Sequence, residues 1–149
     1  MKRLYTRFLF LLFLWACNNS KEENGQSDSN IDAARNFIRA ALDGNFREAR
    51  NFMLRDSLND NFMDVAERSF QKADPDTRNG YRAASINIHR TDEINDSTAI
   101  IIFSNSFKQD HDTLRVVKKD NRWQVDFKYL YQHDLDTSYT KPIRNDSLK

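Results

Sequence analysis

The chain has 149 residues, 39% of them hydrophobic, with 23 Lys and Arg against 22 Asp and Glu. That length bounds it to one ordinary domain plus tails, and the near-neutral charge is no electrostatic footprint for nucleic acid or an anionic membrane surface. Its single cysteine excludes an intrachain disulfide, so the fold has to stand on its apolar core.

Lys2, Arg3 and Arg7 make a basic start, Phe8 to Ala16 is an unbroken apolar run, and no acidic residue precedes Glu22. A membrane-spanning helix needs about 20 apolar residues, so this shorter run suits the apolar region of a secretory signal. It stops at Cys17. Leu14-Trp15-Ala16-Cys17 resembles a bacterial lipobox, with an aliphatic residue three before the cysteine and a small one just before it. Trp15 departs from the small or β-branched residue usual there. The resemblance implies cleavage before Cys17 and lipid on its thiol and amine, so that the membrane is a partner through a lipid anchor. Several acyl chains on one residue would give the stable anchoring that one chain cannot. The residues alone also fit an ordinary secretory signal or an uncleaved anchor.

Asn18, in place of Asp, argues against inner-membrane retention in enterobacterial-type sorting. Lys21-Glu22-Glu23 resembles the Lys-acidic-acidic signal that sends some Gram-negative lipoproteins to the cell surface. These resemblances imply an outer-membrane protein of the cell envelope, surface-exposed if Lys21-Glu22-Glu23 is such a signal; the same residues also fit the charged start of a solvated tether. Residues 17–29 then form the lipidated cysteine and a tether, since Asn18 to Ser29 has no apolar residue with which to build a core.

Asn30 can cap a helix, and Ala33, Ala34, Phe37, Ile38, Ala41 and Leu42 follow at helical spacing. Gly44 suits a C′ position with positive φ. Asn45 and Glu48 form a capping box for a second helix with Phe46, Ala49, Phe52 and Met53 on its stripe. A third helix is predicted from about Leu58 to Ala73, with Ser57 as cap and Phe62, Met63, Ala66 and Phe70 on its buried face. Asp74-Pro75-Asp76 ends it, and Asn79-Gly80 reads as a turn.

From Tyr81 the period becomes two. Ala84, Ile86 and Ile88 alternate with Ser85, Asn87 and His89. Asn95-Asp96 marks a hairpin turn. Thr98 to Phe107, with three consecutive isoleucines, reads as a central strand covered on both faces. Leu114, Val116 and Val117 lead to a second tight turn at Asp120-Asn121, after which Trp123, Val125, Phe127 and Tyr129 alternate. Residues 131–149 are polar and without a sustained period, which predicts a mostly disordered tail.

Helices followed by a meander of about four strands predict an α+β domain over residues 30–130, with helices packed on a curved antiparallel sheet. AARNFIRAALDGNFREARNFM resembles the opening helices of nuclear-transport-factor-2-like (cystatin-like) domains, and VVKKDNRWQVDF resembles their closing hairpin. Asn121 stands where that family has a glycine. The resemblance implies a small envelope lipoprotein with this fold. Some members of the superfamily are isomerases or dehydratases with an Asp or Asp/His pair in a pocket, but no catalytic residue of theirs maps onto a matching position here.

Three glycines cannot build a phosphate-cradling loop, and no hydrolase or zinc signature is present. Asp110-His111-Asp112 falls on a turn, where adjacent residues rarely converge on one ion, and His133 falls in the tail. Asn87 and His89 share a strand face. They are candidate pocket residues if that face lines the concavity, and ordinary surface residues if it faces solvent. Asp126, alternating away from the apolar positions, is expected to be exposed. Phe37, Phe46, Phe52, Phe62 and Phe70 at helical spacing read as core. The expectation is a non-enzymatic, lipid-anchored envelope protein without a cofactor, binding a protein partner or a small apolar ligand. The alternative is a pocket enzyme of isomerase or dehydratase type.

Overall fold

Helix α1 (Asn30–Asp43) is capped by Ser29, whose Oγ accepts from Asp32 N at 3.1 Å. The cap lies one residue before the expected Asn30, which is buried in the first turn. These are the first elements of a computed structural model that describes residues 27–132. At the other end of α1 the sequence reading holds. Gly44 takes φ 77°, its N–H donates to Ala41 O and that of Asn45 donates to Ala40 O, the paired closure of a Schellman motif. Asn45 then caps α2 (Phe46–Ala49) and exchanges bonds with Glu48, accepting from its N–H and donating to its carboxylate. A 3-10 turn, Arg50–Phe52, continues the chain to Met53, which forms a parallel bridge with Val125.

Helix α3 (Ser57–Lys72) starts one residue earlier than expected, because Asp56 is the cap and accepts from Leu58 N and Asn59 N. Asp74 does not only end a helix; it opens another. Its carboxylate accepts from Thr77 N at 2.9 Å and Thr77 Oγ1 at 2.7 Å, and Pro75 occupies the first position of α4 (Pro75–Ala83). Proline is at home there because the first N–H of a helix has no intrahelical partner. The expected turn at Asn79-Gly80 is therefore helical, and the first strand begins at Ile86 rather than near Tyr81.

Strands β1 (Ile86–Asn95), β2 (Thr98–Asn105), β3 (Asp112–Lys119) and β4 (Arg122–Asp126) form an open antiparallel sheet in the order β1-β2-β3-β4. The domain is thus α+β, helices followed by an open antiparallel meander. Asp120 and Asn121 both have positive φ, which fits the primed turn a two-residue hairpin prefers. In β2, Ile100 and Ile101 are both buried on opposite faces, as a central strand requires. Tyr129 does not continue β4. It begins a short helix, α5 (Tyr129–Gln132).

The core lies between α1, α2 and the sheet. Phe37, Phe52, Met53, Leu114, Val116 and Val125 are each at most 3% exposed. Helix α3 departs from its expected packing, because only Asn59 and Met63 are buried over its length and Phe62, Ala66 and Phe70 are half-buried. The space it leaves toward α1 and the sheet is the cavity described next.

Candidate functional site

Three walls meet around a cavity of about 480 Å³. The C-terminal half of α1 supplies Phe37, Ile38, Ala41 and Leu42. Helices α3 and α4 and the link between them supply Ala66, Ser69, Phe70, Ala73, Thr77 and Tyr81. The sheet, α5 and the link between them supply Phe103, Leu114, Phe127 and Leu130. The volume falls within the roughly 300–1,000 Å³ of small-molecule sites. Aromatic rings frame it: Phe46 meets Phe70 edge-on at 5.6 Å and Phe37 tilts against Phe127 at 5.2 Å. Phe37, Phe46 and Phe70, expected as plain core, line this space, while Phe52 is core and Phe62 stacks on Tyr131 at 4.7 Å. Burial, together with the charge of Asp112, pushes the Tyr131 phenol above its ordinary pKa.

The charged groups lining the cavity come from one loop, residues 106–111, and the start of β3: Lys108, Asp110 and Asp112. Asn105 organises that loop. Its Oδ1 accepts from Phe107 N and Lys108 N, and its carbonyl accepts from Gln109 N at 2.8 Å. Phe107 lies edge-on to Tyr81 at 5.0 Å, with its ring over Gly80, where a Cβ would clash with it. The sequence places Asp110-His111-Asp112 on a turn but gives no sign that Lys108, Asp110 and Asp112 border a cavity, because polar turn residues look alike there. The Asn105 side chain, capping two amides in sequence, was the available signal.

Asn87 and His89 do not line this cavity. Both are exposed on the opposite face of the sheet, next to Ser104, whose Oγ is 2.8 Å from His89 Nε2. The His89 ring stacks on that of His111 at 4.2 Å. Among the described residues no three His, Cys, Asp or Glu side chains converge to hold a metal. Cys17, Lys21, Glu22, Glu23 and His133 lie outside the described residues. No helix of the described chain is long and apolar enough to cross a membrane.

Asp126 corrects the expectation of exposure. It is 3% exposed, on the sheet face away from the core but covered by the start of α3 and by neighbouring cations. It accepts from Arg115 Nε at 2.9 Å, Asn59 Nδ2 at 3.1 Å and pairs with Lys128 Nζ at 2.9 Å. Asn59, fully buried, also donates to Asp56 and accepts from Lys128 N at 2.7 Å. Burial pushes the Asp126 carboxyl up, but the bonds from Lys128, Arg115 and Asn59 outweigh it and hold it below its ordinary range. The bond from Asn59 N, helped by Lys128, lowers Asp56 to about 2. Lys128 shifts upward: burial opposes its charge, but Asp126 and Asp56 outweigh that. This cluster does not line the cavity. It ties the start of α3 to the end of β4.

One family model, described as a domain of unknown function, matches residues 21–126. No curated protein and no solved structure matches the chain.

Proposed function

Starting from the premise that the chain belongs to the DUF4878 family of domains of unknown function, we propose that it is a lipid-anchored protein of the cell envelope. On this reading its nuclear-transport-factor-2-like domain binds a small apolar ligand without chemically changing it. The observation that carries this reading is the cavity of about 480 Å³, with aromatic and aliphatic walls and its charges confined to one loop and strand end. Burying apolar ligand surface there is favourable in proportion to the area removed from water. The order of helices before an antiparallel meander supports the fold assignment. An isomerase or dehydratase would need a desolvated, proton-ready carboxylate or imidazole in its pocket. Asp126 is instead paired with two cations outside the cavity, His89 lies on the far face of the sheet, and neither carboxylate that lines the cavity, Asp110 or Asp112, is buried.

A protein partner is the second reading. It draws on a stripe along α3, where Leu58 and Val65 are 41% and 48% exposed beside the stacked pair Phe62 and Tyr131.

Ligand binding is tested with Nile red, a neutral apolar dye, on the soluble domain. The wild type should enhance its fluorescence saturably. Ala66→Trp, which places a large side chain in the α3 wall, should weaken binding by about tenfold or more, since filling the space removes the area that drives binding. Unchanged affinity in that variant would put the dye, and the reading, elsewhere. The anchor is tested separately. Cys17→Ser should move the protein from the membrane to the soluble fraction and abolish incorporation of a fatty-acid analogue, and labelling that persists would remove Cys17 as the lipid site.

A further inference from the structure

The loop between β2 and β3 is built as a fixed element of the cavity mouth. Asn105 is 7% exposed and caps two successive amides of the loop. Phe107 fills the space that the missing side chain of Gly80 leaves on α4. His111 is held by stacking on His89. Between these holding points Gln109 takes φ 63°. Unlike Asp120 and Asn121, it is neither of the residue types that tolerate this region well nor part of a tight hairpin. Strain of this kind persists where the surroundings over-determine it, and ligand clamps are one place it collects. The strained residue separates Lys108 and Asp110, which both line the cavity. Among the described residues neither of these side chains forms an ion pair.

With Asp112 beside them the mouth carries one cation and two carboxylates, so a head of one sign satisfies one kind of charge and faces a like charge on the other. A head carrying both signs close together satisfies both. Resting on the reading of the cavity as an apolar-ligand site, we propose that its ligand is an amphiphile with one apolar tail and a zwitterionic head. Its tail lies among Phe37, Phe70 and Phe127, its acidic group meets Lys108, and its ammonium group meets Asp110. The loop is the clamp that selects the head, and the aromatic walls provide the affinity.

The experiment displaces Nile red from the wild-type domain with dodecyl compounds that differ only in the head: dodecanol, dodecanoate, dodecylammonium and N-dodecylglycine, all below their micelle-forming concentrations. N-dodecylglycine should displace the dye at about fivefold to tenfold lower concentration than each of the others, the range that two solvent-facing ion pairs supply. The preference should be lost in the Lys108→Ala, Asp110→Asn double variant, with its folding checked by far-UV circular dichroism. Gly80→Ala, which unseats Phe107, should weaken the preference without removing either charge. If the dye does not bind the wild type at all, the cavity reading itself fails. If the dye binds and the heads displace it equally, or a singly charged head is best, the zwitterionic assignment is overturned and the cavity reading stands.

Discussion

Replacing Asp126 with alanine should lower the stability of the domain by about 2–4 kcal/mol, measured by urea denaturation near neutral pH. The carboxylate is 3% exposed and is the common partner of Arg115, Lys128 and Asn59. Its removal leaves the Asn59 amide without that acceptor in a fully buried position and leaves two cations close together. The loss falls somewhat short of the roughly 3–5 kcal/mol of a fully buried pair. The reason is that the Arg115 and Lys128 side chains keep 33% and 22% of their surface in water. A loss below about 1 kcal/mol would mean that the cluster is solvated in solution, as surface pairs are.

The cluster also sets a pH dependence. The folded-state pKa values of Asp56 and Asp126 are lowered, with Asp56 at about 2. A depressed carboxyl contributes stability that is fully present above its unfolded pKa, near 3.9, and is lost as pH falls through the folded value. Stability should therefore hold down to about pH 4 and fall between about pH 4 and 2, where these carboxylates take up protons. In Asp126→Ala that acid limb should be shallower, because one of the depressed groups is gone. A limb of unchanged slope would assign the acid sensitivity to other carboxylates.

The second large effect is expected at Phe37. Truncation to alanine should cost about 3–5 kcal/mol, the range for removing a buried phenyl group from a core. The side chain is 2% exposed, lies at the middle of α1 and tilts against Phe127 at 5.2 Å. Because it also forms part of the cavity wall, the space left behind joins an existing void and has few neighbours able to close it. The same variant should therefore alter Nile red binding, whereas Asp126→Ala, which touches the other face of the sheet, should leave it within about twofold once folding is allowed for. Equal effects of both variants on the dye would break the separation between the stabilising cluster and the cavity.

The helical stripe of α1, the Gly44 closure and the Asn45–Glu48 box were legible because each depends on residues within a few positions of one another. The alternation around the three isoleucines and the Asp120-Asn121 turn were legible for the same reason. The fourth helix was not, since Asp74-Pro75 carries the marks of an ending and of a beginning alike. What separates them is the pair of bonds from Thr77 to Asp74. Asp126 was misplaced because alternation reports which face of a strand a residue occupies but not what covers that face. The cover comes from Asn59, 67 positions away.

The cavity belongs to the same class. Helical spacing marks Phe37, Phe46, Phe70 and Ala66 as apolar-face residues, but a solid core and a hollow one need the same pattern. The sequence alone determines that helices precede the strands, the α+β class and most of the turns, because periodicity and caps act over a few residues of local backbone. Only the tertiary structure decides how far α3 stands from α1, that Gly80 receives the Phe107 ring, and that Lys108 and Asp110 edge the opening. Those outcomes depend on packing between separate segments of the chain, such as Gly80 against Phe107, and no short-range pattern encodes the distance between two surfaces.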